Sequence, residues 1–425
     1  MKLKLPTPSA VRNKKVILKV DFNVPLKKTG KNWKVADTAR LESALETLNF
    51  LRANNATILI LTHLGRPNGK YVDELSTKPI AKALSELIKT KIFHCNFLEP
   101  KKITEFVKEQ PTGSIIMLEN IRFWPGEKKN DLKQAQKMSE IGQIFINDGF
   151  SVAHRAHMSV VGLPQYLPSF AGFGFKREVQ TLYQLITQPK RPFVTVIGGA
   201  KICDKVTAVE QLSKIANAVL VGGGVANNFL AAEGYDIADS YIDEKCDNQG
   251  KNGAYVHFAS KLMNKTKIER VMKDGYVPLP KIIYPSDVVA AASINSDNTR
   301  LIQLFGKNGN NGNGCSGHHA KTMFLDIGPK TIRLFKEVVL SAGTVFWNGP
   351  MGVFEQKQFS EGTREIAKAI AKTSATTILG GGDTIAAVNH FGLRDRFDYV
   401  SAAGGAALEF LSGKILPGIK PLLAS

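Results

Sequence analysis

Short runs of aliphatic and β-branched residues alternate with amphipathic segments along the whole chain. Residues 38–53 and 78–89 carry leucine or isoleucine at spacings of three and four, which predicts helices with one apolar face. Four apolar runs in the first half predict strands over residues 15–20, 57–62, 114–118 and 143–147. Strands that alternate with helices predict parallel sheets with helices packed on both faces.

The same alternation begins again after the polar stretch 187–192. Strands are predicted there over residues 193–198, 218–222, 344–348 and 375–380. A chain of 425 residues is long enough for two or three domains. We therefore predict an α/β protein with two doubly wound, parallel-sheet, Rossmann-like domains. Their predicted bounds are 1–185 and 186–405, and a final segment, 406–425, is predicted to return to the first domain.

The charge balance departs from that of an ordinary globular protein. Lysine and arginine number 56 against 37 aspartates and glutamates, a net charge of +19, and residues 1–180 hold 29 of the basic side chains against 16 acidic ones. This excess predicts anionic partners. Nucleic acid is one candidate, although the chain has no zinc-finger spacing, no run of five basic residues and no RNA-recognition signature. Binding of nucleic acid through the basic half stays open as an alternative.

The N-terminus and the hydropathy profile bear on location. The first residues lack the uninterrupted apolar core of a signal peptide, and no stretch approaches 18 apolar residues. We therefore predict a cytoplasmic protein without a membrane partner.

Polar side chains follow the four predicted strands of the first half. They are Asp21 and Asn23, then His63 and Arg66, then Arg122, and then Arg155. Ligands of parallel sheets bind beyond the carboxyl ends of the strands. A guanidinium group matches phosphate or carboxylate with two parallel hydrogen bonds. One such arginine is commonly a surface charge, but three at the same topological position predict a pocket for a small polyanion.

His63, His154 and His157 could instead hold a metal, although no matching cysteine or carboxylate spacing accompanies them.

Glycine clusters mark the strand ends of the second half, at residues 198–199, 222–224, 380–382 and 404–405. Glycine lets backbone N–H groups approach phosphate oxygens, which predicts a nucleotide site. The P-loop motif is absent, and Asn227 stands where the third glycine of GxGxxG belongs, so a nicotinamide-dependent dehydrogenase lacks its fingerprint. Asp383 is either a helix cap or a magnesium ligand.

The order of the motifs resembles the phosphoglycerate kinase family over essentially the whole chain. The motifs are VDFNVPL (20–26), HLGRP (63–67), LENIRF (118–123), AHRAH (153–157), GGAK (198–201), GGG (222–224), DIGPKT (326–331), WNGPMGVFE (347–355), GGGDT (380–384) and LEFLSGKILPG (408–418). The resemblance implies a phosphotransferase with a carboxyl group as acceptor. Its reaction is reversible transfer from 1,3-bisphosphoglycerate to Mg-ADP, giving 3-phosphoglycerate and ATP in glycolysis. It also implies two domains joined by a hinge that closes on the substrates.

The resemblance also assigns roles by motif position. His63, Arg66, Arg122 and Arg155 are implied to hold the 3-phosphate, and Asp21, Asn23 and Arg40 to address the hydroxyl and the reacting carboxyl end. The implied adenosine pocket consists of Gly199, Ala200, Gly223, Asn348, Pro350 and Glu355, with Glu355 on the ribose. The ADP phosphates are implied to lie on Lys205, Gly381, Gly382, Asp383 and Thr384, with Mg²⁺ on Asp383. Stabilisation of the transferred group is implied for Arg40, Lys201, Lys205 and the helix N-terminus at Gly404 and Gly405.

Some positions depart from the family pattern. Residues 401–405 read Ser-Ala-Ala-Gly-Gly where the family usually has Ser-Thr-Gly-Gly-Gly, which puts catalytic efficiency in question. Gly149, Ser151, Val152 and Met158 differ from the commonest residues around AHRAH. Residues 306–319, rich in glycine and asparagine, predict an exposed loop. The implied partners are the two substrate pairs, with no need for nucleic acid, and the implied state is a monomer.

Overall fold

The computed structural model describes residues 1–30, 32–203, 205–243, 253–266, 271–272, 275–276, 280–304 and 321–424. The predicted loop at 306–319 lies outside these residues. The chain forms two compact units, one of Met1–Tyr183 with Lys414–Ser425 and the other of Gln184–Gly413. No helix within the described part of the chain combines the length and the apolarity that a membrane span requires.

The first unit is built around a six-stranded parallel sheet. The unit as a whole has eight strands among the described residues, which are β1 (Lys15–Lys19), β2 (Leu26–Thr29), β3 (Asn32–Val35), β4 (Thr57–Leu61), β5 (Ile92–Cys95), β6 (Ile115–Leu118), β7 (Ile144–Asn147) and β8 (Ser169–Ala171). Its helices are α1 (Pro8–Val11), α2 (Ala39–Glu42), α3 (Leu45–Ala53), α4 (Lys78–Ile88), α5 (Pro100–Lys108), α6 (Leu132–Ser139) and α7 (Phe173–Thr187), which continues into the second unit. The sheet order is β5-β6-β4-β1-β7-β8, while β2 and β3 form a separate antiparallel hairpin.

The central strands of this sheet are buried on both faces. Ile58 and Ile60 of β4 belong to one apolar core, and Leu59 and Leu61 of the same strand belong to a second. Each buried aliphatic side chain stabilises the fold by roughly 1.5–3 kcal/mol. The alternation of β4 between two cores is the packing of a doubly wound domain, so the predicted fold class is confirmed for this unit.

The second unit repeats the plan and adds two small antiparallel sheets, one of three strands and one of two. Its strands are β9 (Phe193–Ile197), β10 (Ala218–Val221), β11 (Val271–Met272), β12 (Gly275–Tyr276), β13 (Ile282–Ile283), β14 (Asp287–Ala291), β15 (Arg300–Gln303), β16 (Met323–Ile327), β17 (Thr344–Asn348), β18 (Thr376–Gly380) and β19 (Tyr399–Ser401). Its helices are α8 (Val206–Ile215), α9 (Gly223–Glu233), α10 (Ala254–Lys265), α11 (Pro329–Leu340), α12 (Glu361–Lys372), α13 (Gly382–His390) and α14 (Gly405–Leu411). The parallel sheet has the order β13-β10-β9-β17-β18-β19, and β15-β14-β16 is antiparallel.

Two sequence-based predictions need correction. The helix predicted over 38–53 is divided into α2 and α3 at Ser43 and Ala44, where the Ser43 hydroxyl donates to the Arg40 carbonyl at 2.8 Å. The chain also leaves the second unit at Lys414 instead of at the predicted residue 406. The reason is that α14 buries Ala406 and Phe410 and packs against α8 within that unit.

Candidate functional site

The predicted substrate residues of the first unit lie at one edge of its sheet. The neighbouring strands β6, β4, β1 and β7 run parallel, with Val16 of β1 opposite both Ile58 and Ile144. The loops that follow their carboxyl ends carry Asp21, Asn23, His63, Arg66, Arg122 and Arg155. Parallel register therefore brings to one edge residues that are separated by up to 134 positions in the chain.

Asp21 is the centre of this edge. Its Oδ2 accepts hydrogen bonds from Arg40 Nη1 and from the Ser151 hydroxyl, and its Oδ1 accepts from the Asn23 N–H at 3.2 Å. His63 Nδ1 lies 3.6 Å from Oδ1. Burial alone would raise the pKa of Asp21, but the neighbouring histidine and arginine and the serine hydrogen bond together hold it below its ordinary value. Asp21 is therefore a carboxylate at neutral pH.

His63 is uncharged at neutral pH. Its burial lowers its pKa well below 6.5, and the attraction of Asp21 is opposed by Lys19, Arg122 and Arg155. A neutral imidazole can donate one hydrogen bond to a substrate oxygen without adding a charge.

The three arginines at this edge form a cationic surface and differ in their exposure to solvent. Arg122 is only 4% exposed and its Nη1 donates to the Gly65 carbonyl at 2.5 Å, while Arg155 is half-buried and Arg66 is exposed. Burial lowers the pKa of Arg122, and the positive charges of Arg155 and Arg66 lower it further. A bound anion would relieve this mutual repulsion, so the electrostatics of the edge favour a small polyanion.

Two residues of this region, Glu127 and Ser151, were not among the predicted site residues, and a third, Lys19, has a position in the sequence that suits an anionic ligand but no assigned role. Lys19 is 1% exposed, and burial lowers its pKa. Glu127, also buried, accepts from the Ser159 N–H at 2.9 Å and lies 3.6 Å from His157 Nδ1. Ser151 contacts Asp21. A lysine inside an apolar strand could have marked Lys19, whereas the other two are recognised only through tertiary contacts.

The predicted nucleotide residues of the second unit also lie at one sheet edge. They follow the carboxyl ends of β9, β10, β17, β18 and β19, which are adjacent in the sheet. In this order they are Gly199, Ala200, Lys201 and Lys205, then Gly223, then Asn348, Pro350 and Glu355, then Gly381, Gly382, Asp383 and Thr384, and then Gly404 and Gly405.

Backbone segments approach closely at this edge. The Gly199 N–H donates to the Pro350 carbonyl at 2.7 Å, and the Gly223 N–H donates to the Met351 carbonyl at 2.9 Å. A Cβ on Gly198 would lie 2.1 Å from the Pro350 oxygen. Glycine at residue 198 is therefore required by space, and the edge is formed mainly of backbone groups, as a phosphate or ribose cradle would be.

Asn348 offers a buried polar group beside the glycine turn. Its side chain is 2% exposed, and within the described residues its Nδ2 has no hydrogen-bond acceptor. A Cβ placed on Gly381 would meet that Nδ2 at 3.0 Å. Thr384, fully buried, accepts from the Gly349 N–H at 2.6 Å and so ties the start of α13 to the end of β17.

Most of the remaining nucleotide candidates face solvent, whereas Pro350 is buried and Lys205 and Gly404 are half-buried. Ala200, Lys201, Glu355, Gly382, Asp383 and Gly405 are exposed, and Lys205 Nζ donates to the Lys201 carbonyl at 3.1 Å. The N-cap residue of α13 is Gly381, and Asp383 lies in the first turn of that helix. This geometry leaves the Asp383 carboxylate available to a ligand. Among the described residues, no cluster of three histidines, cysteines or carboxylates could hold a metal by itself.

Asp326, at the end of β16, is a buried acid beside this edge. Its carboxylate accepts from the Gly362 N–H at 2.7 Å and from the Ile327 N–H at 2.9 Å. Burial raises the pKa of Asp326 to about 8, although the two N–H groups oppose the shift. The Leu325 carbonyl accepts from the Val353 N–H, which links β16 to the loop that carries Glu355.

This raised pKa predicts a pH-dependent stability. An acid that binds its proton more tightly when folded favours folding at low pH and opposes it at high pH. The contribution of Asp326 to the free energy of unfolding should therefore fall as the pH rises from 3.8 towards 8, by up to about 1.4 kcal/mol per pH unit. Denaturant titrations would measure it through Trp347 fluorescence, with Trp33 and Trp124 replaced by phenylalanine.

Asp326→Asn should flatten this pH dependence, and Asp239→Asn, which alters an exposed carboxyl of the same unit, should not. Equal slopes in all three proteins would contradict the raised pKa.

Residues 7–414 match the family model described as phosphoglycerate kinase. A phosphoglycerate kinase of Thermosipho africanus is 41% identical over 414 residues, which are 96% of this chain and 95% of the relative. One from Borreliella burgdorferi is 38% identical over 415 residues, 97% of each chain. The solved structure of phosphoglycerate kinase from Coxiella burnetii gives a TM-score of 0.77 at 36% identity, and that from Pyrococcus horikoshii OT3 gives 0.79 at 31%. Each alignment covers 97% of this chain and 96% of the solved chain.

Proposed function

The chain belongs to the phosphoglycerate kinase family, and from this premise we propose which of its residues carry the reaction. The family reaction is reversible phosphoryl transfer from 1,3-bisphosphoglycerate to ADP, which gives 3-phosphoglycerate and ATP in glycolysis. The assignment rests on the different composition of the two sheet edges, which we call the ligand edges. Cationic side chains line the edge of the first unit, and closely packed glycine backbone lines the edge of the second.

The first unit is proposed to bind the triose. His63, Arg66, Arg122 and Arg155 hold the 3-phosphate, and Asp21, Asn23 and Arg40 address the hydroxyl and the reacting carboxyl end. The burial of Arg122 and His63, which are 4% and 5% exposed, supports a small ligand. Nucleic acid is therefore not required as a partner.

The second unit is proposed to bind the nucleotide. Glycine backbone, Ala200, Asn348 and Pro350 form the adenosine side, and the exposed Glu355 receives the ribose. The phosphates lie on Lys205 and on the turn of residues 381–384. The buried Nδ2 of Asn348, beside Gly381, supports a ligand that presents an acceptor at that point.

Catalysis by these residues is proposed to consist of positioning and charge stabilisation. The terminal oxygen of ADP is already an anion, so no general base is needed. The bond that breaks joins the phosphoryl group to the carboxyl oxygen, and the carboxylate of 3-phosphoglycerate leaves without a general acid. The transition state spreads negative charge over the equatorial oxygens. Arg40, Lys201 and Lys205 supply cations to that charge, and the N-terminus at Gly404 and Gly405 adds its N–H groups. The hinge closure that the family resemblance implies would align the substrates and exclude water.

Magnesium is proposed as the cofactor, with Asp383 as its protein ligand. The residues fit such an ion only in company with ADP, because Mg²⁺ commonly takes one or two carboxylates and completes its shell with phosphate oxygens and water. When bound, the ion neutralises charge on the phosphates. Asp383, at the start of α13 and beside the glycine turn, contributes an exposed carboxylate there.

Asp383→Ala should raise the Mg²⁺ concentration for half-maximal activity at least about tenfold, because one charged ligand is lost. Titration calorimetry of ADP with and without Mg²⁺ would measure the same loss in binding. Asp395→Ala, which removes another exposed carboxylate of this unit, serves as the control. An unchanged Mg²⁺ requirement would exclude Asp383 as the ligand.

A cytoplasmic monomer is proposed as the working form. Each ligand edge is made by residues of one chain, so neither edge needs a second copy, and the phosphorylated substrates of glycolysis suit the cytoplasm.

The function itself is tested with the purified protein, 1,3-bisphosphoglycerate and Mg-ADP, with ATP formation coupled to hexokinase and a dehydrogenase. ATP should form only when both substrates are present. A protein that forms no ATP would contradict the proposal.

A further inference from the structure

The Ser151 hydroxyl contacts the carboxylate at the centre of the triose edge. It donates to Oδ2 of Asp21, the same oxygen that accepts from Arg40 Nη1. Ser151 and Asp21 are 130 residues apart in the sequence, so their contact is made by the pairing of β7 with β1. None of the roles assigned above includes Ser151.

The local fold fixes where the Ser151 side chain points. Ser151 lies in a short 3-10 helix, Phe150–Val152, whose first and last side chains are buried in the apolar core. The Phe150 ring packs edge-on against Phe175 at 5.3 Å between centroids. With its two neighbours held in the core, the serine between them has little freedom to turn away.

The backbone before Ser151 runs close beside the Asp21 loop. The Asp148 N–H donates to the Lys19 carbonyl at 2.7 Å. A Cβ on Gly149 would lie 3.3 Å from the carbonyl carbon of Val20 and 3.4 Å from the Asp21 nitrogen. Asp148 and Gly149 thus set the distance between this segment and the Asp21 loop. The Ser151 hydrogen bond therefore comes from a segment whose position is fixed by backbone contacts.

The partners of Asp21 differ in how firmly they are held. The Arg40 side chain is 35% exposed, whereas the Asp21 side chain is 10% exposed. His63 is uncharged at neutral pH for the reasons given above. Asn23 donates from its backbone to the other carboxylate oxygen. Ser151 is therefore a neutral side chain that, together with Arg40, holds Oδ2 of Asp21, and this oxygen in turn orients the half-buried guanidinium of Arg40.

We propose that Ser151 is a positioning residue for phosphoryl transfer, which acts on Arg40 through the carboxylate of Asp21. The proposal rests on the function proposed for Asp21 and Arg40. Without the hydroxyl, the carboxylate can rotate and the guanidinium loses its defined direction, so the transition state loses part of its stabilisation while ADP binding is untouched.

Kinetics of Ser151→Ala in the full-length enzyme test this role. The value of kcat/KM for 3-phosphoglycerate should fall about tenfold, mainly in kcat, and KM for ADP should stay within about twofold. Ser151→Thr, which keeps the hydroxyl, should retain most of the activity. Ser85→Ala removes a half-buried hydroxyl that donates to the Thr90 carbonyl elsewhere in the unit, and it should have no effect. Equal losses in the alanine and threonine variants would overturn the role of the hydroxyl.

A double-mutant cycle separates positioning from a general structural effect. In an Arg40→Ala background, Ser151→Ala should change kcat less than about twofold, because the residue through which it acts is gone. An undiminished tenfold loss in that background would overturn the proposed pathway.

The ¹³C NMR titration of Asp21 tests the contact without reference to activity. Because the Ser151 hydrogen bond lowers the pKa of Asp21, this pKa should rise in Ser151→Ala and stay unchanged in Ser85→Ala. An unchanged pKa would overturn the contact. If the unaltered protein formed no ATP, the proposed function would fail, while the titration would still decide whether Ser151 holds Asp21.

Discussion

Replacement of Arg40 by alanine is expected to lower kcat about a thousandfold, with little change in KM for ADP. The reason is that Arg40 is proposed to meet the charge on the transferred phosphoryl group, which is present only in the transition state. Its guanidinium is held by Asp21 but remains 35% exposed, so it has donors left for the substrate. Steady-state kinetics in both directions would measure the loss.

Two variants complete the Arg40 test. Arg40→Lys should recover part of the rate, since it restores the charge without the planar fork. Arg177→Ala breaks an exposed ion pair with Glu46 in the same unit and should leave kcat unchanged. Undiminished activity of Arg40→Ala would remove Arg40 from the mechanism.

Gly349→Ala is expected to damage the nucleotide edge severely. Gly349 has φ +96°, and a Cβ there would lie 2.1 Å from the Gly198 carbonyl oxygen. The backbone conformation alone costs roughly 1–2 kcal/mol for alanine, and overpacking typically adds about 1–3 kcal/mol. Because β9 and β17 must separate to admit the methyl group, KM for ADP should rise at least about tenfold. Denaturant unfolding and ADP titration would measure the two effects.

Gly392→Ala provides the matched control in the same unit. Gly392 also has a positive φ, +66°, but a Cβ added there would meet no atom of the described residues within 4 Å. It should lose only the conformational part of the stability and bind ADP normally. If the two variants bound ADP equally well, the close approach of residues 198 and 349 would have no role in nucleotide binding.

The apolar pattern predicted the central strands well, because each is buried on both faces and reads as an unbroken run. Thr57–Leu61 and Thr344–Asn348, for example, lie within one residue of their predicted bounds. The pattern did not reveal β13 or β19, since two or three residues carry no measurable period. The division of the helix at Ser43 and Ala44, where the Ser43 hydroxyl donates to the Arg40 carbonyl, leaves no trace in the apolar spacing.

Some features of the candidate site could likewise be predicted from the sequence, and others could not. Arginines at corresponding strand ends could be recognised from the sequence, because parallel strands bring their carboxyl ends together. The sequence could not show that the Ser151 hydroxyl meets Asp21, nor that Glu127 is buried against Ser159, since these pairs depend on how separate loops fold. Nor could it show that Gly198 and Gly349 almost touch; a strand end followed by glycine predicts a turn equally well.

The assignment of one substrate to each ligand edge is tested most directly by amide chemical-shift mapping of the whole protein. Addition of 3-phosphoglycerate should shift amides of the first unit, Asn23, Gly65 and Arg122 among them. Addition of Mg-ADP should shift Gly199, Gly223 and Gly381 in the second. Shifts caused by both ligands at the same edge, or by 3-phosphoglycerate at the glycine-lined edge, would contradict the account.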